Sequence, residues 1–228
     1  MITPHQVQQR FEAILNPFFH SSCALCERPA SSVLCSFCLR QLRNESTHQD
    51  LSLNAQTPAY WGRYQGVLKR AIARLKYENR PRMGPLLGEE LGVAMLQAGH
   101  QLSTKRIVSI PLHTQRLQSR QYDQAAVIAK KFAQVTGAHY VAHALVRHRS
   151  TPALHNLSPK LRNEALRGAF SLGTLKKCDR KKEILLLDDI YTTGSTMREA
   201  ERILRQHRFR VAGKIVVAKT EAFSTLLG

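Results

Sequence analysis

Residues 184–196 read Ile-Leu-Leu-Leu-Asp-Asp-Ile-Tyr-Thr-Thr-Gly-Ser-Thr, and this stretch restricts the fold of the chain most sharply. Ile184 to Leu187 lacks polar alternation, the pattern of a strand covered on both faces in a parallel sheet. Asp188 and Asp189 close the run, and open α/β sheets bind ligands at the carboxyl ends of their strands. Thr192, Thr193, Gly194, Ser195 and Thr196 add small hydroxyls and a glycine that permits a tight turn. Met197 to His207 then has a helical pattern, with Met197, Ala200 and Leu204 on one face. The loop therefore opens at a helix N-terminus, where unpaired amides and the helix dipole suit a phosphate. The paired carboxylates suit the other end of a sugar phosphate: they accept hydrogen bonds from vicinal ribose hydroxyls or hold Mg²⁺ through water. The plain alternative is a strand, a turn and a capped helix in which Asp189 or Thr193 only satisfies orphan amides.

The series resembles the PRPP (phosphoribosyl pyrophosphate) motif of the type I phosphoribosyltransferases: a hydrophobic strand, two acids, then a Thr-Thr-Gly-x-Thr phosphate loop. One such ligand does not account for the charge. The 228 residues contain 34 Lys plus Arg against 16 Asp plus Glu, a net +18. The excess recurs in 63–82, 116–131, 147–167 and 176–182, so it is spread over the fold and implies a larger polyanion, nucleic acid before others. A basic protein kept soluble by self-repulsion is the bland reading. The length fits one ordinary domain with a small appendage. No apolar stretch approaches the roughly 20 residues of a membrane span, and the polar Met1 to Arg10 carries no signal-peptide core. A cytoplasmic protein is the expectation.

Cys23-x2-Cys26 and Cys35-x2-Cys38 are separated by eight residues. Two such pairs make the closed tetrahedral set that structural Zn²⁺ prefers; iron-sulfur chemistry and disulfides are the competing readings. A zinc bound by four thiolates has no open position, so its expected job is to fold a segment too small to hold itself together. Cys178, alone between Lys177 and Asp179, reads as a plain thiol. The domain plan is then a four-cysteine zinc module in residues 1–43, a polar linker in 44–58, and the main domain in 59–228.

Within the main domain, Tyr60, Trp61 and Tyr64 resume an extended pattern and read as packing residues before base-stacking ones. Val67 to Leu75 places Leu68, Ile72 and Leu75 on one helical face, with Lys69, Arg70, Arg74 and Lys76 largely elsewhere. Pro85 to Leu96 repeats Leu87, Leu91 and Met95, and Ile107 to Ile110 is a short strand halted by Pro111. Arg116 and Arg120 lie four apart; on a helix they share a side and clamp pyrophosphate in a forked manner. The alternative is a basic, solvated helix start. His113 is either a proton donor to a leaving group or structural. A helix is expected from Ala125 to Thr136 with Gly137 as its stop, a strand near His139 to Val146, a helix start at Ser158-Pro159, and a last strand between Lys214 and Lys219. The basic segment Arg147 to Phe170 is either a lid over a phosphorylated substrate or a nucleic-acid groove.

Taken in order, these pieces resemble the ComF family, phosphoribosyltransferase-fold proteins associated with DNA uptake and natural transformation. The marks are the two Cys pairs, Leu75-Lys76-Tyr77, Ile110-Pro111-Leu112-His113 with Arg116 and Arg120, Arg167-Gly168-Ala169-Phe170, and the Asp-Asp loop. The resemblance implies an α/β fold of type I phosphoribosyltransferase type, a mostly parallel twisted sheet flanked by helices. It implies PRPP, with Mg²⁺, held by Asp188, Asp189 and Thr192 to Thr196, Arg116 near the pyrophosphate-side loop, and a helicase-like uptake partner. Family members usually carry amides where this chain has Asp123, Leu154 and Ala165, which favours ligand binding over turnover.

The function expected first is a cytosolic ComF-like protein that binds PRPP or a sugar phosphate and single-stranded DNA during DNA uptake. The alternatives are an active PRPP-dependent phosphoribosyltransferase acting on a nitrogen nucleophile and a PRPP-sensing regulator. No distinct general base is visible, so catalytic residues stay unassigned.

Overall fold

The computed structural model describes residues 21–46, 50–54, 56–149 and 167–221. A small antiparallel pair, β1 (Ser21–Ser22) and β2 (Pro29–Ala30), precedes helix α1 (Ser36–Glu45). The main sheet contains β3 (Ala59–Arg63), β4 (Arg106–Ser109), β5 (His139–Tyr140), β8 (Glu183–Tyr191) and β9 (Arg210–Lys219). Its order is β3-β9-β8-β4-β5, and every neighbouring pair is parallel. This is the parallel, helix-flanked α/β class the sequence implies.

The apolar run of β8 explains its position at the centre. Leu185 and Leu187 face the layer built by α2 (Gly66–Tyr77), α3 (Met83–Gln97) and α5 (Gln124–Thr136), where Leu68, Ile72, Leu91, Met95, Ile128 and Phe132 are fully buried. Ile184 and Leu186 face the opposite layer, with Met197, Ala200 and Leu204 of α6 (Ser195–Gln206). A strand covered on both sides needs apolar residues at consecutive positions. Helices α3 and α5 approach closely because glycines recur along α3: a Cβ at Gly88 would lie 2.3 Å from the Ile128 carbonyl oxygen.

Some elements differ from the pattern in the sequence. The strand expected near His139 to Val146 is two strands: β5 joins the main sheet, and β6 (Leu145–Arg147) pairs antiparallel with β7 (Phe170–Leu172). The break between them includes His143 at φ +54, a left-handed conformation that cannot continue a strand. β9 begins four residues earlier than expected, at Arg210, because its polar first residue pairs with Glu183 at the start of β8. Within 44–58, Asp50 and Tyr60 exchange backbone hydrogen bonds of 3.2 and 2.7 Å, and Leu51 and Leu53 pack against the main core. Ser158-Pro159, Leu154, Ala165, Arg162 and the body of the basic segment lie outside the described residues.

The cysteine segment rests on α2 and α3. Leu34, Cys38 and Leu42 belong to the same buried cluster as Leu68, Ile72 and Leu75. Arg43 donates two hydrogen bonds, of 2.8 and 2.7 Å, to the Glu90 carboxylate on α3, a forked geometry only arginine offers.

Candidate functional site

β8 runs on through both acids to Tyr191, so Asp188 and Asp189 keep their backbones in the sheet, with Asp188 in register with Val216. Their side chains leave on opposite faces of the strand's end. The Asp188 carboxylate accepts the Asp189 amide at 2.8 Å. Asp189 meets the Lys76 ammonium of α2 at 2.8 Å.

Beyond the strand, Gly194 has φ +73 and starts α6, which gives the turn its sharpness. The loop is braced from within. The Thr193 and Ser195 hydroxyls lie 3.0 Å apart, and Arg198 donates to the Thr193 carbonyl at 2.7 Å and to the Ser195 hydroxyl at 3.2 Å. The first amides of α6 have no intrahelical acceptor, so Thr192 to Thr196 offers hydroxyls and amides at one place.

The facing wall comes from the end of β4. Ile110, Pro111 and Leu112 lead into α4 (Thr114–Arg120), and Arg116 and Arg120 both line the same cavity as the acids, which measures about 630 Å³. Asp123 ties this wall together: one carboxylate oxygen accepts the Leu112 amide and the other caps α5 through the Ala126 amide, each at 3.0 Å. Arg120 donates to the Gln124 side chain at 3.0 Å and lies 5.2 Å over the Tyr77 ring. Arg147 reaches the cavity from β6, its guanidinium 5.5 Å over Phe170. His113 caps α4 by accepting the Gln115 amide at 3.3 Å, and its other ring nitrogen lies 3.1 Å from the His148 carbonyl. Its role in this geometry is structural.

The cavity thus brings together Asp188, Asp189, Thr192, Thr193, Ser195, Thr196, Arg116 and Arg120, with Gly194 in the turn between them. Lys76, which helical periodicity puts largely off the packing face of its helix without a site role, also lines this cavity. The one signal for it was the Leu75-Lys76-Tyr77 triplet. Arg147, in sequence only part of a basic segment, comes to the same cavity as Arg116 through the β6–β7 pairing.

Charge in the cleft is strongly coupled. Burial pushes the Asp188 carboxyl well above its ordinary range, and the Asp189 charge adds to this against the pull of Lys76. Burial disfavours the Lys76 ammonium, yet the Asp189 charge and hydrogen bond, with Asp188 behind, hold its pKa above that of an ordinary lysine. Burial raises Asp123 despite the amides it accepts, and lowers Arg147, where the Arg116 charge acts in the same sense. The sequence implies Mg²⁺ with PRPP, held by the acids through water; direct coordination by Asp189 does not fit this arrangement, because the Lys76 ammonium already pairs with that carboxylate at contact distance.

The second candidate site is the cysteine cluster. The sulfurs of Cys23, Cys26, Cys35 and Cys38 all lie within 4.8 Å of one another, and none forms a disulfide. Cys26 and Cys35 are 3.7 Å apart, close to the roughly 3.8 Å edge of a tetrahedron with Zn–S bonds of about 2.3 Å. Burial raises the Cys23 thiol, but hydrogen bonds from the Cys35, Cys26 and Leu25 amides prevail and bring it down to about 6. The donor set fits a structural zinc ion.

No protein-family model matches the chain. Among curated proteins, it is 29% identical over 207 residues to the DNA utilization protein YhgH of Escherichia coli K12, covering 80% of this chain and 89% of that one. It is 28% identical over 193 residues to Competence protein F of Haemophilus influenzae, covering 81% and 84%. Among solved structures, it is similar to a hypoxanthine phosphoribosyltransferase from Staphylococcus aureus, with 11% identity, a TM-score of 0.35, and coverage of 61% and 73%. An allosteric regulatory enzyme of purine biosynthesis matches with 19% identity and a TM-score of 0.35, over 60% of this chain and 26% of that one. The resemblance to competence proteins is therefore shared with homologues named for DNA utilization and for competence. Among the described residues, no helix is long and apolar enough to cross a membrane.

Proposed function

We propose that this chain is a cytoplasmic, ComF-like protein of DNA uptake that holds a ribose phosphate such as PRPP in the cleft and single-stranded DNA on its basic surface. The observation that carries the reading is the convergence, in one cavity of about 630 Å³, of a hydroxyl-lined loop at a helix N-terminus, an acid pair and three arginines. The loop suits a 5-phosphate, the acids a vicinal diol, and Arg116, Arg120 and Arg147 a further anionic group. The net charge of +18 exceeds what such a ligand needs and supports a nucleic-acid partner. The homologues' names support DNA uptake as the setting, with a helicase-like protein as a candidate partner.

Binding is preferred to phosphoribosyl transfer because the acids of the cleft are engaged. Asp189 is paired with Lys76 and Glu221 with Arg63, and Asp188 has its pKa raised by burial. A general base needs a carboxylate that is both ionised and free to reach the nucleophile. Calorimetric titration with PRPP, for the wild type and Thr193→Ala, tests the reading. Saturable binding weakened in the variant supports it, and no binding by the wild type removes it.

A further inference from the structure

Lys76 enters the cleft from α2, a helix that carries none of the ligand groups expected from the sequence. Its ammonium lies 2.8 Å from Asp189, with the two side chains only 15% and 11% exposed. A pair so shielded persists only when each charge compensates the other. The placement is fixed from behind: Leu75, the preceding residue, is fully buried, and its carbonyl accepts the Tyr122 hydroxyl.

A divalent ion on Asp189 would have to sit against this ammonium in a site where water screens poorly. Mg²⁺ also demands near-octahedral oxygen ligands and gives up its waters reluctantly, whereas an ammonium is a point charge with three donors and no such demand. A vicinal diol makes no charge demand either. Its hydroxyls donate to the carboxylate oxygens, which accept more than one hydrogen bond each and retain that capacity beside Lys76.

We propose that Lys76 is the resident cation of the acid pair, a positioning residue that presents Asp189 to a ribose diol and makes a divalent ion at these acids unnecessary. The inference rests on the ribose-phosphate reading of the cleft. It leaves open a Mg²⁺ ion that arrives on the pyrophosphate of PRPP.

Ribose 5-phosphate is the appropriate probe, because it lacks the pyrophosphate and any Mg²⁺ effect on it reports the acids. Titrations in EDTA and in Mg²⁺ would compare the wild type, Lys76→Met and Lys76→Arg, with thermal melts to establish folding. The wild type is expected to bind equally in both conditions. Lys76→Met is expected to lose about tenfold or more in EDTA, an effect of roughly one pKd unit, and to regain affinity in Mg²⁺; Lys76→Arg should stay close to the wild type. A wild type that needs Mg²⁺ overturns the proposal, as does a folded Lys76→Met with undiminished affinity. Loss in Lys76→Met and Lys76→Arg alike, with no response to Mg²⁺, also overturns it by making the role steric. If the wild type binds no ribose 5-phosphate in either condition, the site reading itself fails and the inference with it.

Discussion

The Cα of Gly194 faces the ring of Tyr191 so closely that a Cβ there would lie 2.2 Å from the phenolic oxygen and 2.4 Å from the ring carbon bearing it. Gly194 also has φ +73, where any other L-residue is strained. The loop is thus folded against the strand that delivers it, and both the backbone conformation and the Tyr191 ring favour glycine at 194. Gly194→Ala is expected to cost about 1 kcal/mol or more of stability and to weaken ribose 5-phosphate binding. Adding Tyr191→Leu should recover part of the loss by relieving the clash but not the backbone strain. Calorimetry and thermal melts on the single and double variants check this; unchanged binding in Gly194→Ala would remove the loop from the site.

Asp188 ionises at a cost to stability, because its carboxyl is buried beside Asp189. Its folded pKa is raised: below the ordinary carboxylate range both folded and unfolded chains hold the proton, and the residue has no effect on stability. As pH rises, the unfolded chain ionises first, stability falls, and the deficit grows until the folded acid ionises. Asp188→Asn removes this penalty while its side-chain oxygen still accepts the Asp189 amide. The variant is expected to melt about 2–4 °C higher at neutral pH, with no gain at about pH 3, and to bind ribose 5-phosphate less well. Melts across pH, beside titrations, separate the two effects.

The parts of the site that follow one another along the chain were legible because their chemistry is local. An apolar run, two acids and a hydroxyl-rich turn before a helix can be read in order, and Ser195–Gln206 forms that helix. The Arg116 and Arg120 pair was legible for the same reason, since both sit on α4 and line the cavity. Lys76 was not, because helical periodicity sorts residues into core and solvent and has no third class for a cation aimed into a cleft. Arg147 depends on a two-stranded pairing between residues more than twenty positions apart, which no local pattern announces. The stripe of Gly84, Gly88 and Gly92 was overlooked because an amphipathic reading counts apolar side chains and misses the close approach that their absence permits.

The cysteine cluster makes a prediction about stability. Leu34, Cys38 and Leu42 share the core that holds α2, so loss of the metal should reach the main domain. Purified protein is expected to contain stoichiometric zinc. Chelation or Cys35→Ser should lower its melting temperature by about 10 °C or more, since zinc binding to such a set is folding free energy. Metal analysis with melts before and after chelation checks this; a metal-free protein of undiminished stability would exclude a structural zinc.

Nucleic-acid binding carried by the basic surface should be separable from the acid pair of the cleft. Lys69 and Arg70 are exposed on α2, and Lys69 lies 6.0 Å over the ring of Tyr64, which itself lines the cavity. A strand crossing this face would meet cations and an aromatic ring, the combination that holds single strands without reading their sequence. Binding to oligo(dT) is expected to fall about tenfold or more between roughly 50 and 200 mM salt, with a slope of about −0.7 for each phosphate neutralised. Lys69→Glu with Arg70→Glu should weaken it and flatten that slope. Asp189→Asn should leave it intact, because a carboxylate paired with Lys76 does not contribute to a phosphate-binding surface. Fluorescence anisotropy over a salt series measures all three. Salt-insensitive binding would remove the basic surface as the contact, and binding lost in Asp189→Asn with the fold preserved would place the contact at the acids.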